Sequence, residues 1–194
     1  MKFIKLLLFL CISQIINAQT NDFSKSDKIT TIGVFLDTYL IDFYDGLDVG
    51  STVSYSRDFY RKGKHSFAYN PSLGFFNSIN TENRYILGFG AQYRFEFTKR
   101  LNVRVNLGVN YILTKFLYDR FEYNAQNEQI AQNSIKSNFG PSFGLQYSYD
   151  LFKIKSASFA PVLGYKLIKL DGGNYSRPTE GFSSSISLGI LCKF

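Results

Sequence analysis

Residues 181–194 read GFSSSISLGILCKF. Taken alternately they separate into two faces. One carries Phe182, Ser184, Ile186, Leu188, Ile190, Cys192 and Phe194; the other carries Ser183, Ser185, Ser187, Gly189, Leu191 and Lys193. Successive side chains of an extended backbone point to opposite sides, so this period of two predicts a strand with one apolar face. The second face is built mostly from small residues, and the stretch ends on an aromatic. A long strand with a bare apolar face needs a cover other than water.

Seven more stretches upstream repeat the pattern. They span residues 29–41, 47–59, 66–76, 84–97, 101–113, 137–149 and 157–169. Residues 84–97 are the cleanest: Tyr85, Leu87, Phe89, Ala91, Tyr93, Phe95 and Phe97 alternate with Ile86, Gly88, Gly90, Gln92, Arg94 and Glu96. The next stretch answers with Leu101, Val103, Val105, Leu107, Val109, Tyr111 and Leu113, against Asn102, Arg104, Asn106, Gly108 and Asn110. The expected connections alternate in length. They are short after the second, fourth and sixth strands, and longer after the third, fifth and seventh. Pro71, Pro141 and Pro161 fall inside strands, each three residues before a glycine, which predicts bulges or sharp curvature.

The bulk composition fits one domain. The chain has 194 residues, 45% of them hydrophobic and 18% aromatic, with only 19% charged. The formal charge of +7 reads as an ordinary basic surface. No basic run with interleaved aromatics points to nucleic acid. The N-terminus reads as a secretory leader. Lys2 and Lys5 precede an apolar run over residues 6–16, and Ala18 offers a cleavage position, so residues 1–18 are expected to be removed. Residues 19–28 form a polar lead-in, and 29–194 form the β domain. Cys192 is then the one cysteine left, so no internal disulfide is expected.

The face opposite the apolar one is mostly Gly, Ser, Asn, Thr and Gln. A soluble barrel turns its apolar face inward and carries Lys and Glu outside. Here an almost charge-free belt of Leu, Val, Phe and Tyr, with aromatics toward strand ends, suits lipid outside and a tight lumen inside. The expected fold is all-β, an eight-stranded antiparallel up-and-down transmembrane β-barrel. Closure satisfies every backbone polar group within a bilayer. The alternating ending, with Ile186, Leu188, Ile190 and Phe194, resembles the C-terminal strand signal of bacterial outer-membrane β-barrels. It departs from that signal at Cys192. The chain from 29 to 194 resembles the small outer-membrane β-barrel proteins, especially the "outer membrane protein beta-barrel domain" families of Bacteroidota. That resemblance implies the outer membrane of a Gram-negative bacterium, contact with outer-membrane lipids, and insertion by the barrel assembly machinery. Membrane barrels carry short periplasmic turns and long external loops, which puts both chain ends on the periplasmic side.

Candidate chemistry is sparse. His65 stands alone by the first expected periplasmic turn, and Cys192 belongs to the apolar face. Neither has the partners a nucleophile or a transition-metal site needs. Residues 171–174 hold too few ligands for calcium and read as a Gly-rich turn. No cofactor is implied. Asp58, Arg94, Glu96, Arg104, Asp150 and Lys193 collect on the polar face near the periplasmic end. They read as a salt-bridge network filling the lumen and, alternatively, as a selectivity constriction. The leading role is non-catalytic: structural, adhesive or binding an extracellular or outer-membrane protein through the loops at 119–136 and 170–180. The alternatives are a lipid-modifying enzyme, a narrow channel and a soluble periplasmic lipid-binding barrel.

Overall fold

The computed structural model describes residues 28–39, 48–78, 82–118, 120–123, 129–154, 156–169 and 182–194. The leader, most of the lead-in and the loop at 170–180 lie outside these residues. Among the described residues twelve strands follow in order: β1 (Thr30–Tyr39), β2 (Asp48–Lys62), β3 (His65–Tyr69), β4 (Ser72–Ser78), β5 (Glu82–Glu96), β6 (Leu101–Phe116), β7 (Arg120–Tyr123), β8 (Gln129–Gln132), β9 (Ile135–Tyr149), β10 (Phe152–Ile154), β11 (Ala157–Lys169) and β12 (Phe182–Lys193).

β3 and β4 both pair with β2 on one side and β5 on the other, so together they make one barrel strand. β5, β6, β9, β11 and β12 continue the sheet, and each pairs antiparallel with the next. β1 then pairs with β12 along one edge and β2 along the other. The sheet therefore closes on itself as an eight-stranded up-and-down barrel. At the seam the Phe194 N–H donates to the Thr30 carbonyl at 2.8 Å, and the Thr30 N–H donates back to Phe194 at 3.2 Å. Among the described residues no helix is long and apolar enough to cross a membrane.

Local chemistry explains the irregular places. Gly63 takes a positive φ of 59° in the tight turn joining β2 to β3, a conformation glycine adopts without steric cost. Pro71 lacks an N–H and divides the third barrel strand. Its carbonyl still accepts from Tyr55 at 3.0 Å, while the Asn70 N–H donates to Gly90 at 2.8 Å. A register shift between Asp58 and Tyr60 leaves Phe59 and Tyr60 both exposed. Pro141 and Pro161 behave differently from expectation. They remain in continuous strands, one place beyond opposite ends of the ladder that joins 142–148 to 162–168. A proline there has no β9–β11 hydrogen bond to lose.

Two expected connections change. Only residues 79–81 separate β4 from β5, so the connection after the third barrel strand is not long. The long connection at 119–136 contains a hairpin, β7 paired with β8. At the opposite end, β10 adds three residues alongside β11.

The pleat then sorts the side chains. Leu36, Leu73, Phe89, Leu107, Phe139 and Leu188 point outward and are each at least 60% exposed. Arg94 and Arg104 point inward and are 2% and 1% exposed. Shielding one large apolar side chain from water is worth about 1.5–3 kcal/mol. Those six alone represent about 9–18 kcal/mol, comparable to the net stability of about 5–15 kcal/mol typical of a whole domain. The outer face is therefore built for hydrocarbon.

Candidate functional site: the lumen and its two mouths

The lumen is filled in three layers. The layer nearest the short turns gathers all six charges that the sequence singles out. Arg94 Nη2 lies 2.6 Å from Asp58 Oδ2, both residues being almost fully buried, and the Ile29 N–H donates to the same carboxylate at 3.2 Å. Arg61 Nη2 donates to Glu96 Oε1 at 3.0 Å, with Arg94 Nε 3.9 Å from that oxygen. Lys193 Nζ donates to Asp150 Oδ1 at 2.5 Å. Arg104 stands directly opposite Arg94 across β5–β6, within electrostatic reach of Asp58, Glu96 and Asp150. The strands carry these groups inward because each is an odd number of residues from an outward-facing Val, Phe or Tyr neighbour.

Beyond this layer lies a small cavity of about 70 Å³. Asp37 and Lys166 face it, together with Thr52, Asn106 and Ser187. Thr52 donates to Asp37 at 2.5 Å, and Ser187 donates to its other carboxylate oxygen. Asn70 and Gln92 both donate to Asn106 Oδ1, at 3.0 and 2.8 Å.

The layer nearest the longer loops is apolar, which corrects the expectation of a lumen lined by small neutral residues. Ile86 of β5 faces Ile112 of β6 in register, and Ile168 of β11 joins them in one buried cluster. Phe76 and Phe116 are buried as well, and the Arg84 guanidinium lies 5.5 Å from the Phe76 ring centre while pairing with Glu82. A second apolar group, Phe35, Ala160, Val162 and Leu191, packs against the wall made by β1, β11 and β12. Every member of the first cluster sits on the inward register of its strand, so the signal was in the sequence. Ile86 alternates with the outward face of 84–97, and Ile112 and Ile168 fall on the inward register inside 101–113 and 157–169.

The two mouths differ. At the turn end a cavity of about 620 Å³ is lined by six cations, Lys28, Arg61, Lys99, Arg100, Lys153 and Lys193, against the single side-chain carboxylate of Asp150. At the loop end stands the β7–β8 hairpin, with Phe121 and Ile130 about half exposed. His65 lies exposed at the turn end, its Nδ1 2.6 Å from the Tyr93 hydroxyl and its ring against Tyr93 and Phe95. Cys192 is half-buried. Among the described residues no group of three or more His, Cys, Asp or Glu is placed to hold a metal ion. Ile186, Leu188 and Ile190 are exposed on the outer wall, and Phe194 is half-buried at the seam.

No protein-family model and no curated protein matches the chain. Solved structures do match. Ail, the attachment invasion locus protein of Yersinia pestis, has 13% identity over 86% of this chain and 97% of its own, with a TM-score of 0.52. The same outer membrane protein in a phospholipid bilayer nanodisc matches at 12% identity over 87% of this chain and all of its own, with a TM-score of 0.51. Neisserial surface protein A matches at 9% identity over 87% and 96%, with a TM-score of 0.51. These likenesses concern the fold, and the fold is that of small outer-membrane β-barrels.

Proposed function

We propose that the protein is an integral outer-membrane β-barrel of a Gram-negative bacterium, exported on residues 1–18, whose role is non-catalytic and lies in its external loops. The observation that carries this is a closed wall with an apolar outside and a filled inside, crowned at one end by a hairpin. A filled lumen leaves the loop end as the surface free to meet a partner. The turn end then faces the periplasm, and the charge layer there holds the strands in register. The outward Ile186, Leu188 and Ile190, with Phe194, serve as the signal read by the assembly machinery. The same filling counts against a narrow channel. His65, with aromatic neighbours and at the turn end, counts against a lipid-modifying enzyme working in the outer leaflet.

The test is a variant in which residues 118–134 are replaced by a short turn. It should insert and stay folded like the parent while losing adhesion of intact cells to host-cell or abiotic surfaces. Loss of insertion would make the hairpin part of the scaffold, and unchanged adhesion would remove it as the binding surface.

A further inference from the structure

Among the described residues the charge layer does not balance. Arg61, Arg94, Arg104 and Lys193 supply four positive charges, and Asp58, Glu96 and Asp150 supply three negative ones. Each carboxylate already makes a hydrogen-bonded ion pair with a cation other than Arg104. Arg104 is the surplus. Its Nε, Nη1 and Nη2 are all buried, and none has a hydrogen-bond acceptor among the described residues. A buried guanidinium without an acceptor is strongly disfavoured. Its nearest equivalent on the neighbouring strand is another arginine, Arg94, and like charges directly opposite each other in a sheet repel.

Other unpaired donors lie in the same layer. Ser66 stands opposite Arg94 across β3–β5, and its buried hydroxyl has no partner among the described residues. Ser148 follows Gln146, the β9 residue opposite Arg104, at the next inward place, and among the described residues its hydroxyl is unpaired too. Asp150 and Lys193, within electrostatic reach of Arg104, also line the basic mouth cavity. Six cations around that mouth raise the local concentration of anions.

We infer that Arg104 anchors an anion site behind the turn-end mouth, reached past the Asp150–Lys193 pair that lines the mouth, and taking a small oxyanion of the phosphate class. A guanidinium fork matches two oxygens of a tetrahedral or planar oxyanion, and the serine hydroxyls supply further donors. The barrel wall separates this position from the surrounding lipid, so the occupant comes from the aqueous side rather than as a lipid headgroup.

The experiment is calorimetric titration of the folded full-length protein with inorganic phosphate, in a phosphate-free sugar detergent at constant ionic strength. The parent should bind one phosphate saturably, and Arg104→Met should weaken binding by about tenfold or more, the scale of a lost charged hydrogen bond. Lys153→Gln, at the rim, should change it by less than about threefold. Absence of saturable binding to the parent overturns the inference, and so does equal binding by Arg104→Met, which would leave the mouth lysines as a nonspecific attractor. If Arg104→Met fails to fold, the ¹⁵Nε resonance of Arg104 in the parent decides. A saturable shift with phosphate supports the site, and no shift overturns it.

Discussion

At the residue scale, the Asp58–Arg94 pair shows how alternation converts into electrostatics. Both residues lie on inward registers, and the closure of the ring brings them within 2.6 Å at almost full burial. Asp58→Asn should lower stability in detergent by about 3–5 kcal/mol, because it leaves Arg94 buried without its charge partner. Asp58→Asn combined with Arg94→Met should recover most of that loss. Denaturant unfolding followed by tyrosine fluorescence measures both. The buried position of Asp58, Arg94, Arg104 and Lys193 follows from the alternation in the sequence, because inside and outside alternate along a strand. Their pairing was not legible there, since β2 meets β5 only through β3. The isolation of Arg104 could not be read either, because it depends on which carboxylates its neighbours have taken.

At the scale of the element, β12 offers the sharpest contrast between adjacent positions. Leu188 is outward at the middle of the strand, flanked by Leu36 and Leu163, whereas Ser187 is inward and donates to Asp37. Leu188→Arg should cost about 2–4 kcal/mol of stability in a bilayer, the penalty for a cation at the midplane of a membrane barrel. Ser187→Ala should cost only about 1 kcal/mol, the net value of one hydrogen bond. A reversed order, with Ser187→Ala the costlier change, would mean that the two faces have been exchanged. On the β5–β6 ladder, Gly90 faces Gly108, and a side chain at Gly90 would strike the Leu107 carbonyl. Gly90→Leu should therefore destabilise by about 1–3 kcal/mol, the usual cost of overpacking, seen as a lower temperature at which the folded gel band disappears. Strand identity was legible here to within a few residues at most ends. The division at Pro71 and the hairpin inside 119–136 were not. The first needed the neighbouring ladders, and the second consists of two four-residue strands, too short for a period of two to stand out.

At the scale of the whole molecule, closure organises everything else. Pairing of β1 with both β2 and β12 removes the sheet's edges, so along the described ladders the backbone groups of the wall pair with neighbouring strands rather than face lipid. The strand count, the alternation and the class of fold could be read from residues alone, since all three are periodic properties. The lumen could be read only in part. Its polar lower layers follow from the alternation, but the Ile86, Ile112 and Ile168 plug is a meeting of three strands. That plug bears on the proposed function, in which an external surface rather than a passage does the work. Folded protein in a planar bilayer should pass no steady current, and Ile112→Gly with Ile168→Gly should raise conductance if the apolar layer is what seals the lumen.

The central claim is a closed barrel standing in the outer membrane. Gel migration of the outer-membrane fraction, with and without boiling, tests it most directly. The protein should be found in that fraction and its band should shift on boiling, because a closed hydrogen-bonded wall survives cold detergent and opens only with heat. A soluble periplasmic protein with no shift would contradict it, and would mean that the Leu, Phe and Tyr face lines a pocket instead of meeting lipid.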